Sequence, residues 1–488
     1  MQFKMLNRPA ESSRLIEQMR QSVREERTLC LCLVFYWFWQ FSFFQSPATL
    51  LADGGVGDGW SPREWLLVAS AVMYLLLWVG HKRVARIARK AFYLPSVAAA
   101  MVGGTAMVLF SVIGGAALEG GLSAALCLAG ACLMGVGAAP FVAETGRVFA
   151  QLGPRYALYA GVVGILGGML LYALLLCMPS VFMKVCQVVS PALAVGFLMR
   201  SLSRRMRMKF YEHGLESSLH VPVRFALTCL VQGLGLGAMT GLLSKTGALA
   251  GEPISYIVAF VVGALLIITT ALTLKMDFNH LVYRIGFPCM ATGFILLVCF
   301  PDNFEYGGVL LTIGHCYMYV IITCICAYFS NRLNSSPVWI VSLSTFFLVV
   351  GQILGTIVSS HASGSFMQTV ESPTIVASFM AFLIPVLALA LFDDQNTRLG
   401  WGAIKPGERD VGMRDILVEK LSGEYRLTAR EIDVAALLAR GRNKRYISQK
   451  LGLSEETIKS HIGNIYRKLL VHSQQELIDL IEDECSVE

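Results

Sequence analysis

The sequence is short of charge. Of 488 residues only 15% are Asp, Glu, Lys or Arg, against 55% hydrophobic, and the mean hydropathy is +0.60. So few polar side chains cannot cover a water-soluble globule of this size, which excludes that class for most of the chain. Paired cysteine spacing is also lacking: the thirteen cysteines are scattered, and Cys30 with Cys32 or Cys324 with Cys326 are only two apart. They read as small packing residues, with no metal or cofactor expected. No nucleophile or carboxylate constellation stands out among the isolated Glu, Asp and His residues, so an enzyme is not expected.

What the chain has instead is long apolar runs. Twelve of bilayer-crossing length recur, at about 29 to 51, 64 to 80, 93 to 117, 121 to 142, 156 to 178, 180 to 200, 221 to 244, 253 to 274, 280 to 300, 307 to 329, 337 to 359 and 374 to 392. The leader and every second loop, with Arg200 and Arg284 at the adjoining span ends, hold 21 Lys and Arg; the intervening loops hold two, Arg63 and Lys245. Under the positive-inside rule both termini are expected in the cytoplasm of a bacterial cell, with the protein in its cytoplasmic membrane and in contact with the lipid bilayer. The expected divisions are a cytoplasmic leader at 1–28, a membrane domain at 29–392, a linker at 393–425 and a C-terminal domain at 426–488.

The longest basic loop, "SLSRRMRMKFYEHGLESSLH" at 201 to 220, divides the spans six plus six. This layout resembles the major facilitator superfamily of transporters, whose related halves surround a midplane cavity. The loop "GHKRVARIARK" has the basic residues expected between that family's second and third spans but lacks the Asp and second Gly of its motif, which counts against ordinary transport. Ionisable residues are scarce in the runs, with Lys184, Arg224 and Glu144 near their ends. Ion-driven transport usually needs such groups, so the scarcity favours sensing over transport. The resemblance implies that the first, fourth, seventh and tenth spans line the cavity. The candidate ligand residues there are Tyr36, Gln40, Gln232, His315, Tyr319 and Thr323, the last three sharing one helical face, and they would suit a small, flat, partly polar molecule.

After Phe392 the composition turns polar. The linker is too short for a receiver domain, which needs roughly 100 residues. Beyond it, Thr428 with Glu431, Asn443, Ser454 and Ser473 with Glu476 are N-terminal caps of four short helices, two of them closed by Gly441 and Gly452. The middle pair has helix-turn-helix spacing. In "SEETIKSHIGNIYRKL", Ile458, Ile462, Ile465 and Leu469 form one apolar stripe, while Thr457, Lys459, Ser460, Gly463, Asn464 and Arg467 lie opposite. Ten basic residues against four acidic ones between Arg426 and Gln475 suit a phosphate backbone.

"LTAREIDVAALLARGRNKRYISQKLGLSEETIKSHIGNIYRKLLVHSQQEL" closely resembles the LuxR-type (GerE, or FixJ/NarL-type) DNA-binding domain. The resemblance implies base contacts from Lys459, Ser460 and Gly463, though Gly463 has no side chain to read a base. It places Thr457 and Lys468 at backbone-contact positions, and Lys444 and Arg445 join Asn464 and Arg467 as candidate DNA contacts. The last helix, with Leu477, Ile478 and Ile481, matches the family's dimerisation helix, implying a homodimer on double-stranded promoter DNA. The expected fold is thus all-α: a twelve-helix facilitator-like membrane bundle followed by a four-helix LuxR-type domain. The expected function is a membrane-tethered transcriptional regulator responding to an unknown small-molecule inducer; a facilitator-like transporter with a fused regulatory domain is the alternative.

Overall fold

The computed structural model describes residues 19–44, 61–113, 120–204, 223–245, 253–300, 303–332, 336–361, 372–392, 425, 427–439, 443–477 and 480. Among them every regular element is helical. The chain divides into two compact units, Met1–Gly407 and Glu408–Glu488.

The helices of the first unit are α1 Arg27–Phe44, α2 Pro62–Val79, α3 His81–Ile87, α4 Tyr93–Ile113, α5 Gly120–Leu152, α6 Pro154–Leu176, α7 Ser180–Ser203, α8 Val223–Lys245, α9 Pro253–Ile267, α10 Phe287–Cys299, α11 Phe304–Arg332, α12 Pro337–His361 and α13 Ser372–Leu391. A π-helical turn, Ile268–Thr273, continues α9, and another, His280–Gly286, leads into α10. Among the described residues eleven helices are long and apolar enough to cross a membrane. The seven-residue α3 is too short to be among them. Protein covers the aromatic rings of α1: Phe38, Trp39 and Phe41 are fully buried, and the Trp39 indole N–H donates to Thr105 Oγ1 of α4 at 2.9 Å. These eleven correspond to the second to twelfth expected spans, and α1, an 18-residue helix inside the bundle, lies on the first.

Helix ends follow local chemistry. At α2, Ser61 Oγ accepts from the Glu64 N–H at 3.4 Å, Glu64 Oε2 accepts from the Ser61 N–H at 2.6 Å, and Pro62 fills the first helical position. This helix therefore begins before Trp65 and includes Arg63. The fourth run, expected to end at 142, continues as helix to Leu152, so α5 is about 50 Å long at 1.5 Å per residue. Its extension carries Glu144 and Arg147, both buried, with Arg147 Nη2 3.0 Å from Glu144 Oε1.

Apolar burial does not hold helices together in lipid, so close backbone packing must contribute. On α8, Gly233, Gly237 and Gly241 recur every fourth residue, facing Gly351, Gly355 and Ser359 on α12. A Cβ on Gly233 would run into the Leu348 carbonyl, one on Gly237 into the Gln352 carbonyl, and one on Gly355 into the Leu234 carbonyl. Thr356 Oγ1 also donates across the pair to the Gly237 carbonyl at 3.3 Å. Beyond α13, the Phe392 ring meets Tyr283 edge-on at 6.0 Å and lies 5.9 Å from the Arg284 guanidinium. The Tyr283 hydroxyl in turn shares a 2.8 Å hydrogen bond with Thr228 of α8.

In the second unit, α14 Ala429–Ala439, α15 Lys444–Leu451 and α16 Glu455–Leu469 precede helical residues at 474–477 and 480. Leu427, Ile432, Leu438, Ile447, Ile458, Ile465, Leu469 and Leu477 share its core. Ile462 is only partly buried, so the apolar stripe of α16 is centred on Ile458, Ile465 and Leu469.

Candidate functional site

The caps expected in the C-terminal unit take shape as hydrogen bonds. Thr428 Oγ1 accepts from the Glu431 N–H at 3.3 Å while Glu431 Oε2 accepts from the Thr428 N–H at 2.7 Å. Asn443 Oδ1 caps α15 through the Tyr446 N–H, and Gly452, at φ 64°, ends that helix. Ser454 Oγ accepts from the Thr457 N–H at 3.1 Å and opens α16, leaving three residues between the helices. Gly441, Ile478 and Ile481 lie outside the described residues.

These caps fix the rotation of α16. With Ile458, Ile465 and Leu469 inward, Thr457, Lys459, Ser460, Gly463 and Arg467 are exposed on the other side, and Lys444 and Arg445 are exposed at the start of α15. Space around Gly463 is open. Arg467 donates to the half-buried Asn464 Oδ1 at 2.8 Å, which orients both side chains. Lys459 lies 3.7 Å from Glu456, an exposed pair that holds the ammonium only loosely.

Lys468 stands apart from this group. Its Nζ donates to Glu431 Oε2 at 2.7 Å, tying α16 to α14, and the Glu431 side chain is almost inaccessible. Burial alone would raise the Glu431 carboxyl pKa, but the hydrogen bonds from Lys468 and Thr428 outweigh it and hold the group below its ordinary value. Gln474 donates to the Leu438 carbonyl at 2.7 Å, and Arg430 donates to the Leu451 carbonyl at 2.8 Å. Neither bond is legible from a single helix's periodicity, because each joins residues more than twenty positions apart. Leu477, expected at a dimer edge, is buried in the unit's own core.

Leu470 closes α16 in the left-handed conformation at φ 57°, with its side chain 81% exposed. Such a backbone costs an L-residue about 1 to 2 kcal/mol, of which glycine's larger unfolded-state entropy returns part. Leu470→Gly is therefore expected to stabilise this unit by about 0.5 to 1 kcal/mol. A urea midpoint equal to or below the wild-type value would contradict it.

In the membrane unit, Tyr36, Gln40, His315 and Tyr319 line one cavity, together with Trp37, Arg63, Tyr74, Phe260 and Gln352. Counted to its open mouth, it holds about 900 Å³ of space free of protein atoms. Thr323 lines a neighbouring, more apolar cavity of about 730 Å³. Tyr36, Trp37 and Tyr319 border both, forming an aromatic partition in which Trp37 meets Tyr319 edge-on at 5.4 Å. Gln232 lies behind the wall, fully buried, with Nε2 3.4 Å from the His315 carbonyl and from His315 Nδ1. Arg63, Tyr74 and Gln352 are cavity residues beyond the sequence expectation. The capping box Ser61-x-x-Glu64 was the legible signal that moves Arg63 from a loop into a helix.

Residues 425–481 match the family described as "Bacterial regulatory proteins, luxR family". Over 119 residues the chain is 32% identical to the transcriptional regulatory protein LnrK of Bacillus subtilis (strain 168), covering 23% of this chain and 49% of that one. It is 48% identical over 48 residues to the nitrate/nitrite response regulator protein NarP of Escherichia coli (strain K12), covering 10% and 22%. The chain thus spans about half or less of these relatives. A crystal structure of a Major Facilitator Superfamily transporter, FucP, in the outward conformation is similar at a TM-score of 0.47 with 12% identity, covering 76% of this chain and 99% of that one. Residues 425–481 are therefore a luxR-family regulatory domain, carried on a chain whose first unit is built of helices with the length and composition to cross a membrane.

Proposed function

We propose that the chain is a membrane-tethered transcriptional regulator in a bacterial cytoplasmic membrane, both termini cytoplasmic, that senses a small molecule in the cavity of its first unit and binds promoter DNA through α16. The observation that carries this reading is the luxR-family match at 425–481 on a helix whose exposed side presents Thr457, Lys459, Ser460 and Arg467. LnrK and NarP are named as regulators, which supports a DNA-directed role for the shared segment. Two modules on one operator suit the homodimer expectation, with a surface other than Leu477 making the contact. The cavity, walled by aromatic rings with a few hydrogen-bonding groups, supports sensing of a small molecule.

The test selects bound sites from a random DNA library with full-length protein in nanodiscs, then measures the winning sequence against Lys459→Ala. Recovery of one enriched motif is expected, with binding weakened by roughly 1 to 3 kcal/mol in the variant and no change in its melting temperature. Absence of any enriched motif, or equal affinity of the variant, would overturn the reading.

A further inference from the structure

Arg63 sits in the first turn of α2 and lines the larger cavity, yet among the described residues no Asp or Glu lines that cavity. The adjacent carboxylate, Glu64, is committed to its cap: Glu64 Oε2 accepts from the Ser61 N–H at 2.6 Å and from the Ser61 hydroxyl at 3.2 Å. Among the described residues no carboxylate comes within 4.0 Å of the Arg63 guanidinium. Glu64 and Tyr256 act on Arg63 electrostatically without pairing with it, and the low-dielectric walls of an aromatic-lined hollow screen the guanidinium's field poorly. The group that best satisfies it is planar and anionic, since the guanidinium fork matches a carboxylate with two parallel hydrogen bonds. Gln40 and Gln352 add neutral hydrogen-bonding groups, while Tyr36, Trp37 and Phe260 supply faces and edges for a ring, Trp37 and Phe260 meeting at 6.0 Å.

We infer that this cavity takes a small aromatic carboxylate, its carboxylate held by Arg63 and its ring among Tyr36, Trp37 and Phe260; the inference rests on the small-molecule-sensing reading above. An aromatic amine of the same shape is repelled by Arg63 and finds no acidic partner among the described residues of the wall. A neutral amide fills the space but forgoes the charge-assisted bonds.

The experiment follows the melting temperature of full-length protein in nanodiscs over graded phenylacetate, phenylacetamide and phenethylamine. Phenylacetate is expected to act at about one-tenth the concentration of the other two or less. Arg63→Gln should raise the phenylacetate midpoint by about ten-fold or more and leave the amide's within about two-fold. Arg63→Lys, which keeps the charge, should retain the preference for the anion at reduced affinity, and it also serves if the Gln variant does not fold. Equal or better action of the amide or amine, or an undiminished carboxylate preference in Arg63→Gln, would overturn the anion assignment while leaving a sensing cavity. Silence of all three compounds would overturn both readings.

Discussion

Gly237→Leu is expected to leave little folded full-length protein. A Cβ at this position would occupy the space of the Gln352 carbonyl, and that obstacle is backbone rather than a side chain able to swing away. The two helices would have to separate, which also parts Gly233 from Leu348 and Gly355 from Leu234. Overpacking a close contact costs about 1 to 3 kcal/mol where side chains can adjust. Here they cannot, so a loss of about 3 kcal/mol or more is expected. The control is Gly196→Leu on α7, where a Cβ meets nothing within 4 Å. Monodisperse elution and melting temperature should match wild type for Gly196→Leu and collapse for Gly237→Leu. A wild-type profile for Gly237→Leu would show that α8 and α12 do not meet as described.

Glu431→Ala should have the second largest effect, in the C-terminal unit. It removes at once the acceptor for Lys468 at 2.7 Å and the acceptor for the Thr428 N–H at 2.7 Å. A hydrogen bond to a charged group contributes about 1.5 to 3 kcal/mol. With Lys468 still 30% accessible and able to recover some hydration, the expected net loss is about 3 kcal/mol. A core of this size rarely supplies more than about 3 to 5 kcal/mol, so the variant stands close to unfolding. The contribution also depends on pH. Because the folded carboxyl titrates below its ordinary value of 4.5, its stabilisation is fully present above that value and is lost as pH falls through the lower folded one. Urea melts of a 408–488 fragment should show a gap between wild type and variant at pH 7 that narrows as pH falls below 4.5. A constant gap, or none at pH 7, would assign the stability elsewhere.

Features written in short-range chemistry were legible in the sequence. Thr428 with Glu431, Asn443 and Ser454 announce their helices because a cap needs only residues three positions apart. The apolar runs announce membrane-length helices because lipid imposes length and composition on each segment alone. Pairings between distant segments were not legible. Lys468 looks like its cationic neighbours until α14 brings Glu431 within reach, and Ile462 looks like Ile465 until the core leaves it at the edge. The glycines of α8 show a period of four, but only the arrival of α12 turns that spacing into backbone contact. In the cavity, the helical spacing of His315, Tyr319 and Thr323 was readable, whereas the aromatic partition that puts Thr323 in a different hollow arises from α1.

The hold on Phe392 places α8 between that ring and His315. Gln232, beside His315, and Thr228, bonded to Tyr283, are four residues apart on α8, about 6 Å along its axis. From Thr228 the chain of contacts passes through the Tyr283 ring to Phe392, the last described residue before the polar segment that leads to the C-terminal unit. A stroke of α8 that follows Gln232 must carry Thr228 with it, because a helix is stiff over one turn. Under the proposed sensing function, one turn of α8 is then the shortest mechanical path from a molecule beside His315 to the Phe392 ring.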